Sequence, residues 1–451
     1  MKRLLSITGG LLGLLALGAL AVALALTFGG LRTDVKPASQ AFQSPIETPT
    51  QPPYPPPATP TPPGPPATPT VAPTPVPRCT FAARPIPAEP GPPLNAYHFS
   101  EPQVVLTHTS AIGIAGWLPD GQRLLITRRI PGQPREYVET FNVQTGELQR
   151  YGERRSFDAK PIWLTAERAV AFADVSPDKQ VVLRISRGES APVEEAITGL
   201  AAPYLAASPD GRRVVFFTKA AQNRPEAFDV AQVQRQTFPF TLPLTPWQEL
   251  PALGQQVGPE SYRATWHPDG NRVAFYNDTG FYLADLITAQ VCQVNLGRIT
   301  EGAVETWPRW AFYAQWSPSG RYLAMLTAVG DPPVKFSDLT ILDTITGEVH
   351  SVHPEQYISP GQYYVTDMAW TPNSQIIAIR AAVEVREGVM HEGLYLIEVA
   401  TDQDIRMLPQ AVFTGGDAGW NLAWSPNGQQ IAVSCPTTNE GRLCLIAVTN
   451  R

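Results

Sequence analysis

The residues whose types and spacing could support chemistry in this chain begin with a few histidines. His350 and His353 lie three residues apart, and His391 directly precedes Glu392, a spacing that metal ligands can have. In strand and loop surroundings it is more typical of solvated or structurally hydrogen-bonded histidines. His267 lies in a turn where related turns have serine or threonine, which favours a capping role. We therefore predict no metal site and no cofactor.

Signatures of catalysis are missing from the sequence. There is no Gly-x-Ser-x-Gly elbow, His-Glu-x-x-His, Cys-x-x-Cys or phosphate-binding Gly-Lys motif, each of which would place reactive groups on a strand, turn or helix. The net charge is −6, from 34 basic and 40 acidic residues, which excludes the basic footprint expected for nucleic-acid binding. We predict no catalytic residue and no nucleic-acid partner.

The four cysteines permit disulfides in an exported chain. Cys435 and Cys444 lie at the two ends of a predicted hairpin, where antiparallel pairing could bring them to bridging distance. The alternative is two separate strand thiols. A bond between Cys79 and Cys292 is geometrically allowed, but nothing in the sequence requires it.

The elements that must position any site are strands joined by a repeated turn. Residues 424–428 read Trp-Ser-Pro-Asn-Gly, and related turns occur at residues 117–121, 207–211, 266–270, 316–320 and 370–374. Proline presets φ for a tight turn, Asp or Asn bonds to the nearby backbone, and glycine accepts positive φ. A short apolar run follows each turn, so each unit is predicted to be strand, turn and strand.

Seven such units follow one another along the chain. Aligned on the residue before the turn, they begin at Trp117, Trp163, Ala207, Trp266, Trp316, Trp370 and Trp424. Their spacing of 44 to 59 residues, with several strands apolar on both faces, is typical of a propeller whose blades pack on two neighbours. The sequence predicts an all-β, seven-bladed β-propeller of four-stranded antiparallel blades, spanning residues 94–451.

Unit seven has sequence for only three strands, whereas residues 103–107 form a spare strand before unit one. Pairing this strand with the last blade would cover an exposed sheet edge. We therefore expect residues 103–107 to be the fourth strand of blade seven. On this hypothesis deletion of residues 1–107 lowers stability sharply, whereas deletion of residues 1–92 does not.

The first 93 residues have a different composition. Residues 4–28 contain no charged side chain and follow Lys2 and Arg3, so we expect a transmembrane helix within residues 1–33, with a cleaved signal peptide as the alternative. Residues 34–93 are rich in proline and threonine and are predicted to form a disordered stalk. The positive-inside rule then places the propeller on the extracytoplasmic side of the cytoplasmic membrane, held by a single span.

The repeated Trp-Ser-Pro-Asp-Gly-type turn, followed by a polar residue and an apolar strand, resembles the TolB-like (PD40, WD40-like) periplasmic propellers over about residues 111–448. The resemblance implies a propeller used for protein association or as an accessory to a hydrolase, and it names no ligand. In the family's geometry the turn joins the innermost strand to the second. The opposite rim therefore carries the segments that link blades.

Aromatic and basic residues outside the repeat positions are the binding candidates on this linking rim. The aromatic candidates are Trp307, Trp310, Tyr357, Tyr363, Tyr364 and Trp420. Such residues suit a recognition surface and equally suit the packing of long linkers. Arg128 and Arg129, with Arg135, Arg154 and Arg155, would form either a basic patch or a solvated face.

These observations predict a membrane-anchored, extracytoplasmic propeller that binds a protein or cell-envelope component as a scaffold, without catalysis. Residues 4–28 would contact the membrane. The alternative is a propeller hydrolase or lyase with a polar site in the central channel, which separated residues could assemble unseen in the sequence. Convergent carboxylates or histidines in the channel would favour the enzyme, and an aromatic rim would favour binding.

Overall fold

The computed structural model describes residues 77–80, 91–155, 159–221, 224–243, 248–250, 255–257, 262–277, 280–296, 298–301, 304–308, 310–329, 336–352, 363–386, 389–399, 405–413, 421–435 and 440–450. They belong to one compact unit, Ala72–Arg451. Across these ranges no helix is long and apolar enough to cross a membrane. The predicted anchor at residues 4–28 lies outside them.

The repeated turn sets where strands end and begin. In the first unit the Asp120 carboxylate accepts the backbone N–H groups of Gln122 (2.9 Å) and Arg123 (3.0 Å). Gly121 has φ +64° and donates its N–H to the Leu118 carbonyl oxygen at 3.0 Å. This local chemistry reverses the chain, so that the apolar run after the turn pairs with the strand before it.

The strands form seven four-stranded antiparallel blades. A 3-10 helix, Leu94–Ala96, precedes β1 (Tyr97–Phe99) and β2 (Gln103–His108). Blade 1 contains β3 (Ile112–Trp117), β4 (Arg123–Arg129), β5 (Arg135–Asn142) and β6 (Leu148–Arg155). Blade 2 contains β7 (Ile162–Leu164), β8 (Ala169–Val175), β9 (Val181–Ser186) and β10 (Glu194–Thr198). Blade 3 contains β11 (Ala206–Ala207), β12 (Arg213–Phe216), β13 (Glu226–Asp229) and β14 (Gln234–Thr237).

Two hairpins are inserted among the later blades. The first is β15 (Gln248–Leu250) with β16 (Gln255–Val257), before blade 4, which contains β17 (Arg263–Trp266), β18 (Arg272–Asn277), β19 (Gly280–Asp285) and β20 (Gln290–Val294). The second is β21 (Arg298–Glu301) with β22 (Val304–Pro308). Blade 5 contains β23 (Trp310–Trp316), β24 (Tyr322–Val329), β25 (Phe336–Asp343) and β26 (Val349–Val352). Blade 6 contains β27 (Tyr363–Trp370), β28 (Ile376–Arg386), β29 (Val389–Glu398) and β30 (Ile405–Phe413), and blade 7 contains β31 (Leu422–Trp424), β32 (Gln430–Ser434) and β33 (Gly441–Asn450).

Blade 7 is completed by a strand from the start of the propeller. β33 pairs with β32 on one side and with β2 on the other, from Gln103 opposite Leu445 to His108 opposite Gly441. β1 continues this edge by pairing with the end of β33. The predicted fold class and the predicted role of residues 103–107 as the fourth strand of blade seven are confirmed.

The hydrophobic core is divided among the contacts between blades. Seven clusters of buried apolar side chains are found in the described ranges, one for each pair of neighbouring blades. Between blades 7 and 1, for example, Ile114 and Leu124 pack with Ala432 and Leu443. Burial on both faces is the reason why the second strands, such as β8 and β18, are apolar along most of their length rather than alternating, whereas the outer strand β14 is exposed.

The repeat tryptophans join successive blades. Three of their indole N–H groups donate to a carbonyl oxygen on the innermost strand of the preceding blade: Trp117 to Ala423 (3.2 Å), Trp316 to Thr265 (3.3 Å) and Trp370 to Gln315 (3.2 Å). Trp424 instead donates to the Gly428 carbonyl oxygen of its own turn, at 3.2 Å. These four indole N–H groups therefore make structural hydrogen bonds within the propeller.

A segment of the predicted stalk is fixed to the outer edge of blade 4. Arg78 pairs in parallel with Gln293 of β20. Cys79 donates its N–H to the Gln293 carbonyl oxygen (2.9 Å) and forms a disulfide with Cys292 at a Cα–Cα distance of 4.8 Å. Deletion of residues 1–92 would remove this attachment. Unchanged stability is therefore no longer expected for that deletion, and removal of residues 1–76 is the cleaner comparison.

The second disulfide joins the two ends of the last hairpin. Cys435 and Cys444 are bonded with a Cα–Cα distance of 5.9 Å. Cys444 lies on β33 between Val433 of β32 and Val104 of β2, and it is 1% exposed. The bond therefore holds the strand that carries the ring closure.

Two equivalent turn glycines differ in what surrounds them. Gly320 has φ +76°, and a Cβ there would lie 2.3 Å from Nε2 of His267, whereas Gly270 has φ +74° and open space. We expect Gly270→Ala to cost about 1–2 kcal/mol for the left-handed backbone alone. Gly320→Ala should cost a further 1–3 kcal/mol or so, because the methyl group overpacks the site. Urea denaturation measures both, and equal losses would contradict the role of His267 as the obstacle.

Candidate functional site

The channel residues share one position in the repeat. The residue three before the repeat tryptophan, or before Ala207 in unit three, is Ile114, Lys160, Tyr204, Arg263, Tyr313, Asp367 or Asn421. We call these seven the channel ring. Ile114 is buried in the cluster between blades 7 and 1. The other six are polar, and hydrogen bonds and ion pairs connect them across or around the channel.

Asp367 is the acidic member of the channel ring and is fully buried. The register of β27 shifts between Val365 and Asp367, and such a bulge redirects the side chain that follows it. One carboxylate oxygen accepts the backbone N–H groups of Asn421 (2.8 Å) and Leu422 (2.9 Å) on blade 7. Asp367 is thereby held in place by the next blade.

Lys160 reaches from blade 2 to the far side of the channel. Its Nζ lies 3.2 Å from the Tyr313 hydroxyl and 3.4 Å from a carboxylate oxygen of Asp367. Burial acts to lower the pKa of Lys160, but the Asp367 charge and the Tyr313 hydroxyl outweigh it and the pKa is raised. Lys160 is therefore a fixed cation at neutral pH and is unsuited to act as a base.

A cavity of about 230 Å³ lies beside Lys160 and Tyr313, between the innermost strands of blades 2 to 5. Four members of the channel ring line it: Lys160, Tyr204, Arg263 and Tyr313. Its lining extends from residues that precede the innermost strands, such as Lys160 and Tyr204, to the end of β17 at Trp266.

Hydrogen bonds hold Arg263 and the cavity tyrosines in place. An Arg263 Nη2 donates to the Tyr204 hydroxyl at 2.7 Å, and the guanidinium carbon lies 4.2 Å from the centre of the Tyr204 ring. Burial raises the pKa of Tyr276, whose hydroxyl accepts the Ala314 N–H. Burial also raises the pKa of Tyr313. The cavity therefore offers hydrogen-bond donors and cations at neutral pH.

The aromatic rim candidates are described only in part. Trp307 lies in β22, Trp310 begins β23, and Tyr363 and Tyr364 begin β27. Tyr357 and Trp420 lie outside the described residues. The strand starts at Trp310 and Tyr363 are opposite the repeated turns, as expected for the linking rim. Recognition by these residues stays a prediction.

The arginines of the predicted basic patch lie together at one end of blade 1, where Arg135 pairs with Arg155. Arg129 is exposed. Three other arginines of the patch contact carboxylates: Arg128 contacts Glu139 (2.8 Å), Arg154 contacts Glu136 (2.7 Å) and Arg135 contacts Asp174 (3.5 Å). These carboxylates offset most of the positive charge, which reduces the attraction for an anionic partner.

The histidines show no metal-like arrangement in the part of the chain that the structure describes. No group of three His, Cys, Asp or Glu side chains suited to a metal is found there. His350 lies in β26 and His391 in β29, while His353 is outside the described residues. His267 receives the Asp269 N–H on Nδ1 at 3.0 Å, which confirms its capping role. Its Nε2 lies 2.9 Å from the Gly320 carbonyl oxygen of the next blade.

His267 should make stability depend on pH. Burial, aided by the charge of Arg272, lowers the pKa of His267. The unfolded chain therefore takes up this proton near pH 6.5 while the folded protein does so only at lower pH, and stability falls as pH decreases through that window. We expect the melting temperature to drop more between about pH 7.5 and pH 5.5 in wild type than in His267→Ser, which has the residue of sister turns. Equal drops would contradict this.

The signal that could have identified the channel ring is present in the sequence. Alignment on the repeat tryptophan places a polar residue at the same offset in six of seven units. This offset lies on the innermost strand of a blade or just before it, and the innermost strands of a propeller face a shared channel.

Comparison with known proteins identifies the fold. No family model matches the sequence, and no curated protein matches it. Among solved structures, an oligogalacturonate lyase from Vibrio parahaemolyticus is 13% identical with a TM-score of 0.51, covering 78% of this chain and 96% of the lyase. TolB from Acinetobacter baumannii is 13% identical with a TM-score of 0.37, covering 71% of this chain and 78% of TolB. At such identities the likeness to the lyase shows the propeller fold alone.

Proposed function

We propose that this protein is a membrane-anchored, extracytoplasmic propeller that binds a protein or cell-envelope component without catalysing a reaction. Residues 4–28 provide the anchor and the proline-rich segment provides the spacer. Recognition takes place at the linking rim, with the channel cavity as an additional ligand site.

The observation that carries this proposal is the state of the channel groups. Asp367, the acidic member of the channel ring, already accepts two backbone N–H groups and contacts Lys160. Lys160 has a raised pKa and stays protonated. Since a general base must have a free lone pair near neutral pH, this arrangement favours holding a ligand over transferring a proton.

The enzyme alternative retains one specific argument. Lys160 and Tyr313 are adjacent, with Nζ 3.2 Å from the hydroxyl, and both line the cavity. Lysine and tyrosine can act together as proton donors when a substrate enters. A propeller hydrolase or lyase acting in the channel is therefore the second candidate function.

The test is reversible cross-linking of the full-length chain in its native envelope, followed by purification and mass spectrometry. We expect a defined component to be recovered with wild type and with Arg212→Gln, which changes an exposed residue beside a repeated turn. Recovery should be lost with Trp307→Ala/Trp310→Ala. Recovery that is the same for all three proteins would contradict the linking rim as the binding surface.

A second measurement addresses catalysis. The purified full-length chain is incubated with isolated envelope material, and released low-mass products are measured over time. Absence of product supports the binding role. Product that accumulates with wild type and is lost in Lys160→Met would overturn it in favour of the enzyme.

A further inference from the structure

Two attachments hold the start of the propeller, and they follow one another along the chain. The first is Cys79, whose disulfide with Cys292 joins it to β20, the outer strand of blade 4. The second consists of β1 and β2, which pair with β33 and close the ring. Tension applied at the N-terminus therefore reaches the disulfide before it reaches the closing strands.

The closing strands are poorly suited to withstand tension. No residue of β2 is fully buried, and Val104 is 51% exposed. β1 contributes three residue pairs with β33, and the pairing of β2 shifts register between Val104 and Leu106. Both strands lie at the edge of the sheet, and β1 would be pulled from its free end. Their pairs with β33 could then break one after another.

Cys292 lies in a strand that is held on both sides of the attachment. It occupies the middle of β20, which pairs with β19 over five residues from Phe281 opposite Val294 to Asp285 opposite Gln290. Val294 is buried in the cluster between blades 4 and 5, and Cys79 packs against the same cluster. Tension at Cys292 therefore acts on the middle of a packed strand, where no free end is offered for peeling.

The disulfide makes this attachment strong. Residues 77–79 also form two backbone hydrogen bonds with β20, from the Cys79 N–H to the Gln293 carbonyl oxygen (2.9 Å) and from the Gln293 N–H to the Pro77 carbonyl oxygen (2.8 Å). Each such bond contributes only about 0.5–1.5 kcal/mol net. Without the covalent bond, these contacts would break under tension and pass it on along the chain.

We propose that the Cys79–Cys292 disulfide carries tension from the stalk into blade 4 and keeps it off the strands that close the ring. β1 and β2 lie inside the covalent loop that this bond closes between residues 79 and 292. Tension that enters at Cys79 leaves through Cys292 and bypasses them. The inference rests on the proposed function, because a chain anchored in the membrane and bound to an envelope component is pulled whenever the two move apart.

The experiment is single-molecule stretching of the full-length chain in detergent with optical tweezers. One handle is at the N-terminus, and the other is on a tag inserted between Ala231 and Gln232, in an exposed loop of blade 3 where insertion is tolerated best. In the oxidised wild type, residues 80–108 should add no extension. In Cys79→Ser/Cys292→Ser, a first step should release about 30 residues, on the order of 100 Å of extended chain.

Two controls separate the path of the tension from stability. Cys435→Ser/Cys444→Ser removes the other disulfide, within blade 7 itself, and leaves the bond at Cys292 intact. Leu106→Asp weakens β2 by a point substitution. The first step should be absent from both proteins while Cys79 and Cys292 are oxidised, and it should appear in both after reduction with dithiothreitol. Thermal unfolding without tension identifies any variant that fails to fold.

A bond that only stabilises the fold predicts a different result. Loss of Cys79 and Cys292 would then lower the force of every unfolding step without adding a first one. That outcome, or the same first step in oxidised wild type, would overturn the inference. The handles replace the membrane, so the result does not depend on the anchor. Failure to recover an envelope component would contradict the proposed function and leave the measured path of the tension unchanged.

Discussion

Replacement of Asp367 by alanine should lower the free energy of unfolding by about 3–5 kcal/mol. The substitution leaves the Lys160 ammonium without its carboxylate partner. It also removes the acceptor of the Asn421 and Leu422 backbone N–H groups, which Asp367 receives at 2.8 and 2.9 Å. Buried polar groups that lose their partner carry the full cost of desolvation. Urea denaturation followed by tryptophan fluorescence measures the change.

Matched variants separate the ion pair from the backbone contacts. Lys160→Met keeps most of the side-chain stem and leaves Asp367 with its three backbone N–H donors, so its cost should be smaller than that of Asp367→Ala. Since the two residues are in contact, the double variant Lys160→Met/Asp367→Ala should lose less than the sum of the single losses. Additive losses would show that the contact between Lys160 and Asp367 contributes nothing. An unchanged midpoint for Asp367→Ala would contradict the assigned role of the carboxylate.

The sequence predicted the parts of the fold that depend on local chemistry. Asp120 and Gly121 act within a few residues of each other, so the turn and the strands on either side are readable from the motif. Repetition of that motif gives the number of blades, and the unpaired run at residues 103–107 gives the closure. The closure required only the further condition that a sheet edge be covered.

The contacts in the channel could not be derived in the same way. Lys160 and Asp367 are 207 positions apart, and their meeting depends on the width of the channel and on the bulge before Asp367. Cys79 and Cys292 are also far apart in sequence, by 213 positions, and no local motif predicts that they meet. The offset from the repeat tryptophan shows that Lys160, Asp367 and Arg263 face a shared axis. It does not show which of them touch.

Truncation of the chain before residue 109 should cause the largest loss of stability, because it removes β1 and β2. β33 would then expose the edge that now pairs with Gln103 through His108. Burial of Val105 and Leu106 against the cluster between blades 7 and 1 would also be lost. Two fully buried side chains of this size would correspond to about 3–6 kcal/mol, and these two, which are partly buried, contribute less than that. Removal of residues 1–76 keeps β1, β2 and the Cys79–Cys292 bond, and it should leave stability close to that of the full chain.

Two point substitutions in β2 test closure without altering the chain length. Leu106 is partly buried against the core cluster, whereas Val104 is 51% exposed on the same strand. Leu106→Asp should lower the melting temperature by on the order of 10 °C, because a charge would replace a packed apolar group. Val104→Asp introduces the same charge toward solvent and should change the melting temperature little. Equal effects of the two substitutions would mean that β2 does not seal the ring through its packed face, and only the backbone pairing with β33 would remain to account for closure.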